Sequence, residues 1–278
     1  MVESTEISVI LPIYNGQDFI GWRCREIVAS LRKNDLHNYQ FVFVNDGSAD
    51  GTARALAGLS NIFAPGDNYK AININANAGT FEAERVGLRG ADGKYVFFQD
   101  IDDPYNPALI EELLQFRRDG NESVHIAAPT KPVSEGCICH NVWHTEIKPM
   151  QCLLVDQLMT GKGLITRRSV FSREVLLEAY AEIAQSLRKA GIRRINAVQD
   201  SVVITYLISK GIFTSVTESK EYYLYNYLSP ESMSHDSGNR KKDLPILAAV
   251  TAYAIDKLHP SGVCRSLAEY LMIKQKGM

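Results

Sequence analysis

The sequence predicts an α/β protein with a mixed, mostly parallel sheet flanked by helices and a helical C-terminal extension. Three observations predict it. Over roughly the first 130 residues, short apolar runs alternate with segments of helical period, the rhythm of βαβ units. Each run is continuously apolar, as parallel strands buried on both faces are. Polar clusters follow the runs at their carboxyl ends, at Tyr14-Asn15, Asn45-Asp46, Asn75 to Asn77 and Asp100 to Asp103. Open α/β sheets bind ligands at that edge.

The elements follow in order. Ile7 to Ile13 reads as a strand, then Asp18 to Lys33 as a helix. Phe41 to Val44 is a second strand, after which Asp50 is placed to cap a helix through Leu59. Ala71 to Ile74 is a third strand, Gly79 to Leu88 a helix, and Tyr95 to Gln99 a fourth strand. Pro129, Pro132, Gly136 and the stretch to Pro149 suggest a long loop, where a second-substrate surface often sits. Helical patterns return at Gln151 to Met159, Arg173 to Lys189 and Ala197 to Ser209. Ile212 to Val216 and Tyr222 to Tyr227 are strand-like, and Pro245 to Leu258 and Ser261 to Lys274 are helical. This divides the chain into a βαβ half, 1–130, a more loosely patterned part, 131–243, and a C-terminal helical segment, 244–278.

A chain of 278 residues with 45% hydrophobic and 22% charged residues can bury one large core or two closely joined ones. A formal charge of -2 gives no global attraction to nucleic acid. Arg167-Arg168 and Arg240-Lys241-Lys242 read as solvated surface, or as contacts for a phosphate or acidic headgroup. No apolar run approaches the roughly 18 to 20 residues that cross a bilayer, and Met1 to Glu6 lacks the basic start of a signal peptide. The expected location is therefore cytoplasmic, with the apolar run Ile246 to Val250 serving core or homodimer packing, or peripheral contact with the inner face of a membrane. The five cysteines, Cys24, Cys137, Cys139, Cys152 and Cys264, suit reduced thiols. Cys137, Cys139, His140 and His144 offer zinc donors, but without the repeated Cys-x2-Cys spacing of structural zinc sites.

Asp100-Ile101-Asp102-Asp103 places three carboxylates in four residues where a strand meets a loop. Crowded carboxylates stay ionised most easily beside donors, basic groups or a hard divalent metal. Mg²⁺ or Mn²⁺ held by one or two carboxylates, with water and substrate phosphates completing the shell, fits this run. So does an ordinary strand-to-helix turn before Pro104 and Pro107. A Gly-x-Gly-x-x-Gly turn and a P-loop are both absent, which disfavours a dinucleotide or P-loop site.

Several motifs then agree in order and spacing. They are Val9-Ile-Leu-Pro-Ile-Tyr-Asn15, Val44-Asn-Asp-Gly-Ser-Ala-Asp-Gly-Thr52, Asn77-Ala-Gly79 with Gly87-Leu88, and Gly93-Lys-Tyr-Val-Phe-Phe-Gln-Asp-Ile-Asp-Asp103. With them the chain resembles glycosyltransferase family 2, the inverting nucleotide-sugar transferases of the Rossmann-like GT-A fold. The resemblance covers residues 6–115 closely and the second half in outline, through Gln199-Asp200, Tyr222 to Tyr225 and Ser232-Met-Ser234. It implies that Pro12 and Tyr14 line the nucleoside pocket and that Asp46 accepts a hydrogen bond from uracil. The chemistry agrees, since a carboxylate receives an imide N–H and a tyrosine ring stacks on a base. The plain alternatives are a half-buried aromatic at Tyr14 and an Asx-turn from Asp46 to Gly47. The resemblance further implies that Asp100 faces ribose or sugar hydroxyls and Asp102 ligates the metal. Asp103 supports the sugar or caps the next helix.

Two departures stand out. Asn45-Asp46 replaces the family's double Asp, and Ala83-Glu84-Arg85 replaces Ala-Arg-Asn. The second moves the basic residue about 100° around a helix. Arg85 then reaches the base or diphosphate, or pairs with a nearby acid on the surface. The family's Glu-Asp pair is Gln199-Asp200, which implies that Asp200 deprotonates the acceptor hydroxyl; the alternative is a helix N-cap. His235, in the stretch from Ser234 to Arg240, closes over the diphosphate, completes the metal shell, or is an exposed loop histidine.

The implied function is metal-dependent, inverting transfer of one sugar from a UDP-linked donor to a glycan or lipid-linked acceptor, as in bacterial surface polysaccharide synthesis. Single addition is expected because the Gln-x-x-Arg-Trp motif of processive relatives is absent, and neither Trp22 nor Trp143 follows an arginine. Two competing accounts are a GT-A-like partner that binds a sugar nucleotide or glycan without transfer, and a nucleotidyltransferase. The latter would want a Gly-rich basic loop where the chain has Tyr14-Asn-Gly-Gln-Asp18.

Overall fold

In the computed structural model the described residues are 5–34, 38–118, 130–132, 166–195, 197–212, 223–225, 237–258 and 266–276. The first half is built from β1 (Ile7–Ile13), α1 (Gln17–Asn34), β2 (Tyr39–Asp46), α2 (Thr52–Ala57), β3 (Tyr69–Ile74), α3 (Thr80–Gly90), β4 (Tyr95–Phe98) and α4 (Pro107–Arg118). Then come β5 (Thr130–Pro132), a 3-10 turn at Thr166–Arg168, β6 (Phe171–Ser172), α5 (Arg173–Lys189), α6 (Gln199–Ser209), β7 (Tyr223–Tyr225), α7 (Ser237–Leu258) and α8 (Leu267–Lys276).

The main sheet has the order β3-β2-β1-β4-β6, and β5 pairs with β7 in a separate two-stranded sheet. β1, β2, β3 and β4 are mutually parallel, and only β6 runs antiparallel, against β4. The register Ile13↔Asn45 and Asn45↔Asn73 brings the carboxyl ends of three strands to one edge. The sheet is thus mixed and mostly parallel, as the sequence predicts.

Period-2 alternation divides the strand residues between two layers. Val9, Leu11, Phe41, Phe43 and Phe97 face a core completed by Ile20, Cys24 and Ile27 of α1 and by Leu109, Ile110 and Leu113 of α4. Ile10, Val42, Val44 and Phe98 face the other, completed by α3, α5, α6, α7 and α8. Gly87 lets α3 lie directly on the sheet, because a Cβ there would come 2.4 Å from Ile10 Cγ2 and 3.2 Å from Val44 Cγ2. α6 is buried along its length, from Ser201 to Ile208, between α5 and α7.

Two elements differ from expectation. β3 is an edge strand with alternating exposure, not buried on both faces, because the sheet ends there and no strand covers its outer side. α7 begins at Ser237, eight residues before the expected start at Pro245. A proline suits a helix's first position, where its missing N–H costs nothing, but here it lies within the helix. The preceding turn is anchored by buried Asp243, which accepts a hydrogen bond from the Ala197 N–H at 2.9 Å. The expected helix at Gln151 to Met159 and the strand residues 213–216 lie outside the described residues.

Candidate active site

The loops at the carboxyl edge are tied to one another by side chain to backbone bonds. After β1, Asn15 takes a left-handed conformation, φ 53°. Its N–H donates to Ser48 Oγ at 2.9 Å, and its Oδ1 accepts from Ala49 N–H at 3.0 Å. The Gly16 N–H donates to Thr52 Oγ1 at 2.9 Å, and Gln17 Oε1 accepts from Gly51 N–H at 2.7 Å. Asp50 Oδ1 accepts from the Thr52 N–H at 2.9 Å, which holds the start of α2. On this framework Tyr14 is 51% exposed and Pro12 is half-buried.

Asp46 is buried and accepts from two backbone N–H groups of the β3–α3 loop, Ala78 at 2.7 Å and Gly79 at 2.9 Å. The turn role belongs to its neighbour instead. Asn45 Oδ1 accepts from Ser48 N–H at 3.0 Å, while its Nδ2 donates to Asn73 Oδ1 at 2.9 Å. The amide both donates and accepts, which an ionised aspartate cannot, so Asn45 has a structural reason that a second aspartate would not meet. Gly79 has φ +90°, and a Cβ there would come 2.8 Å from the Ile195 carbonyl. This contact brings the β3–α3 loop against the segment leading to α6.

The acidic run after β4 is held by its backbone. Arg23 of α1 is fully buried and donates from Nε to the Ile101 carbonyl at 3.2 Å and from Nη2 to the Asp102 carbonyl at 3.1 Å. Gln99 Nε2 donates to the carbonyls of Asp100 and Asp103 at 3.1 and 3.2 Å. The Asp100 and Asp102 side chains remain partly exposed, while Asp103 is 1% exposed. Asp103 does not cap α4; that position falls to Asn106, whose Oδ1 accepts from Leu109 N–H at 3.4 Å.

Arg85 pairs with Glu82 one turn back on α3, Nε to Oε2 at 2.7 Å, the surface pair that was its structural alternative. The buried cation of the site is Arg167. The sequence reading placed Arg167 on the solvated surface, yet its side chain is 4% exposed. Its Nε and Nη2 both donate to Asp100 Oδ1 at 3.0 Å, and its Nη1 donates to Asp200 Oδ1 at 2.9 Å and to Glu84. Its guanidinium also lies 5.8 Å from the Phe98 ring centroid. Asp200 is not an N-cap either. In the first turn of α6, its Oδ1 accepts from the Thr166 N–H at 3.2 Å and from the Thr166 hydroxyl. Glu84 is completed by the Tyr180 hydroxyl at 2.6 Å, whose ring stacks on Phe81 at 4.9 Å.

Burial pushes the Glu84 carboxyl up to about 7; Arg167 opposes the shift, Asp200 adds to it, and the Tyr180 hydrogen bond opposes it. Burial also works against charge on Arg167, but Asp100, Asp200 and Glu84 outweigh it and hold the guanidinium protonated. Sequence reasoning missed Arg167, Thr166, Tyr180 and Arg23. One signal was available: Glu84 lies three residues after Phe81 and four before Leu88 on the buried face of α3, where a carboxylate requires a partner.

The sequence model of Glycosyl transferase family 2 matches residues 8–174. The chain belongs to glycosyltransferase family 2. This transferase is 26% identical over 256 residues to the uncharacterized glycosyltransferase YibD of Escherichia coli, an alignment spanning 86% of the chain and 67% of the relative. It is 30% identical over 120 residues to the undecaprenyl-phosphate 4-deoxy-4-formamido-L-arabinose transferase of Proteus mirabilis, across 43% of the chain and 36% of that protein. Its fold matches the crystal structure of S. aureus TarS 1–349 in complex with UDP-GlcNAc with TM-score 0.63 and 19% identity, covering 96% of the chain and 70% of the TarS 1–349 chain. The transferase therefore has the GT-A architecture that its sequence motifs imply.

Among the described residues of the transferase, no helix is long and apolar enough to cross a membrane. Lys241 and Lys242 are exposed, as expected of solvated surface. His235 and the set Cys137, Cys139, His140 and His144 lie outside the described residues. Among the described residues, no group of three or more His, Cys, Asp or Glu side chains is placed to hold a metal ion alone. Asp102, partly exposed at the edge, would offer one carboxylate to a Mg²⁺ or Mn²⁺ whose remaining positions water and phosphate oxygens would fill, the mode in which such ions accept only one or two protein carboxylates.

Proposed function

We propose that the enzyme transfers a single sugar, with inversion, from a UDP-linked donor to a glycan or lipid-linked acceptor, as part of bacterial surface polysaccharide synthesis. One observation carries the reading: Asp100, on the loop after β4, and Asp200, on α6, are held against the same buried guanidinium. An inverting displacement at the anomeric carbon needs the leaving diphosphate and the base on opposite sides of the reacting sugar, and carboxylates from separate segments can flank it in that way.

Tyr14 and Pro12 take the base, and Asp46, oriented by Ala78 and Gly79, accepts the uracil N–H with lone pairs left by its two backbone bonds. Asp100 meets sugar or ribose hydroxyls, with Asp103 packed behind it and Arg85 at the surface of α3. Asp102 holds Mg²⁺ or Mn²⁺, with His235 as a further candidate ligand. That ion supplies charge stabilisation for the departing diphosphate, so no protein acid is required on the leaving side.

Among the described residues, every hydrogen bond to the Asp200 carboxylate falls on Oδ1. Oδ2 then takes the acceptor's hydroxyl proton as its oxygen attacks C1. The bond from C1 to the diphosphate breaks, and its electron pair leaves with the nucleoside diphosphate. The departures that favoured a binding-only protein both have structural partners, Asn73 for Asn45 and Arg167 for Glu84.

The test is release of free nucleoside diphosphate from a panel of nucleotide sugars with Mn²⁺ or Mg²⁺, with and without acceptor. Acceptor-dependent release from a UDP-sugar is expected. Metal-independent donor binding without turnover of any donor would reject the proposal.

A further inference from the structure

Arg167 has a place in no motif that identifies the family here, yet among the described residues its side chain touches both halves of the candidate site. Its Nε and Nη2 grip one oxygen of Asp100, and its Nη1 reaches Asp200. A guanidinium is planar and rigid, so two carboxylates bound to different edges of it are held at a fixed separation. A lysine ammonium carries the same charge but has no fork to transmit that geometry.

Behind this fork sits Glu84, buried on α3, accepting from Arg167 Nη1 and from the Tyr180 hydroxyl at 2.6 Å. Three elements thus meet at one guanidinium: α3 through Glu84, the β4 loop through Asp100 and α6 through Asp200. Thr166, next in the chain, fixes the same Asp200 oxygen through its N–H and hydroxyl. Position 84, basic in the family's Ala-Arg-Asn pattern, is here a buried carboxyl, and the positive charge comes from the Thr166–Arg168 turn.

We propose that Arg167 is a positioning residue for sugar transfer, setting the distance and angle between Asp100 on the donor side and Asp200 on the acceptor side, with the buried Glu84 carboxyl as the hydrogen-bond partner that holds it there. The inference rests on the assignment of Asp200 as the base. Arg167 acts through both carboxylates and touches no reacting atom. Its loss therefore slows the chemical step and leaves the nucleotide pocket at Tyr14 and Asp46 intact.

The experiment compares wild type, Arg167→Lys and the paired variant Glu84→Gln/Arg167→Gln in three measurements: UDP binding by calorimetry with Mn²⁺, melting temperature, and kcat and KM for transfer. The paired variant removes both buried charges together and keeps polar side chains of similar size, which guards against loss of folding. The expected result is kcat lower by about 10- to 100-fold in Arg167→Lys and by 100-fold or more in the paired variant, with UDP affinity within about threefold of wild type. Wild-type kcat in Arg167→Lys would overturn the proposal. So would a loss of UDP affinity as large as the loss of kcat, which marks a merely structural role. A wild-type enzyme that transfers from no donor removes the functional reading itself, whereas an active wild type with indifferent variants removes only the role of Arg167.

Discussion

Arg23 Nη2 on α1 lies 3.1 Å from the main-chain oxygen of Asp102, so the loop that carries the candidate metal ligand is held from beneath by a buried guanidinium. A second bond from the same group reaches the Ile101 carbonyl. Replacing Arg23 by Met keeps the aliphatic stem but removes the hydrogen bonds to both carbonyls, a loss on the order of 1 to 3 kcal/mol of stability. Urea unfolding measures the loss. Metal-dependent donor affinity is expected to fall by about tenfold or more with it, because Asp102 then moves with its loop.

Asp102 and Asp200 are expected to separate cleanly. Asp102→Ala abolishes metal-dependent binding of the donor, read by calorimetry with and without Mn²⁺. Asp200→Asn leaves that binding in place and lowers transfer by about 10²- to 10⁴-fold, the usual effect of removing a general base. Equal loss of binding and transfer in both variants would reject this division of roles.

Glu84 makes stability fall as pH rises. Its carboxyl is pushed from the ordinary 4.5 up to about 7 by burial, with Asp200 adding and Arg167 and Tyr180 opposing. Between those values the native state keeps a proton that the unfolded chain has released. The contribution is fully present below the unfolded value and is lost as pH passes through the native one. Wild type should therefore lose on the order of 1 to 3 kcal/mol relative to Glu84→Gln between pH 4.5 and 7.5, measured as the difference in unfolding free energy. A difference that does not change with pH would show that Glu84 has no such shift.

Tyr14 stands apart from the core, half exposed at the end of β1. Tyr14→Ala is expected to leave the melting temperature nearly unchanged and to weaken UDP binding by about 1 to 3 kcal/mol, the worth of one stacked base. Titration of UDP against both proteins checks the difference, and unchanged affinity would place the base elsewhere.

The sequence alone determined the strand and helix order of the first half, because parallel strands covered on both faces must be continuously apolar and the helices between them must carry a single apolar stripe. β1 and α5 lie within the bounds read from the sequence. The shared edge of the polar clusters was legible too, since a parallel sheet gathers the loops at its strands' carboxyl ends on one side. Sequence could not show that Asp46 binds the β3–α3 loop while Asn45 makes the turn, because adjacent residues on a strand point to opposite faces and the Asp46 partners Ala78 and Gly79 lie 32 and 33 positions away. Nor could it show the ion cluster. Glu84, Asp100, Arg167 and Asp200 span more than a hundred residues, and an Arg-Arg dipeptide reads the same on a surface as in a core. Only the packing of α3, the β4 loop and α6 around one guanidinium decided it, because a charge enters a core only where its counter-charges are already placed.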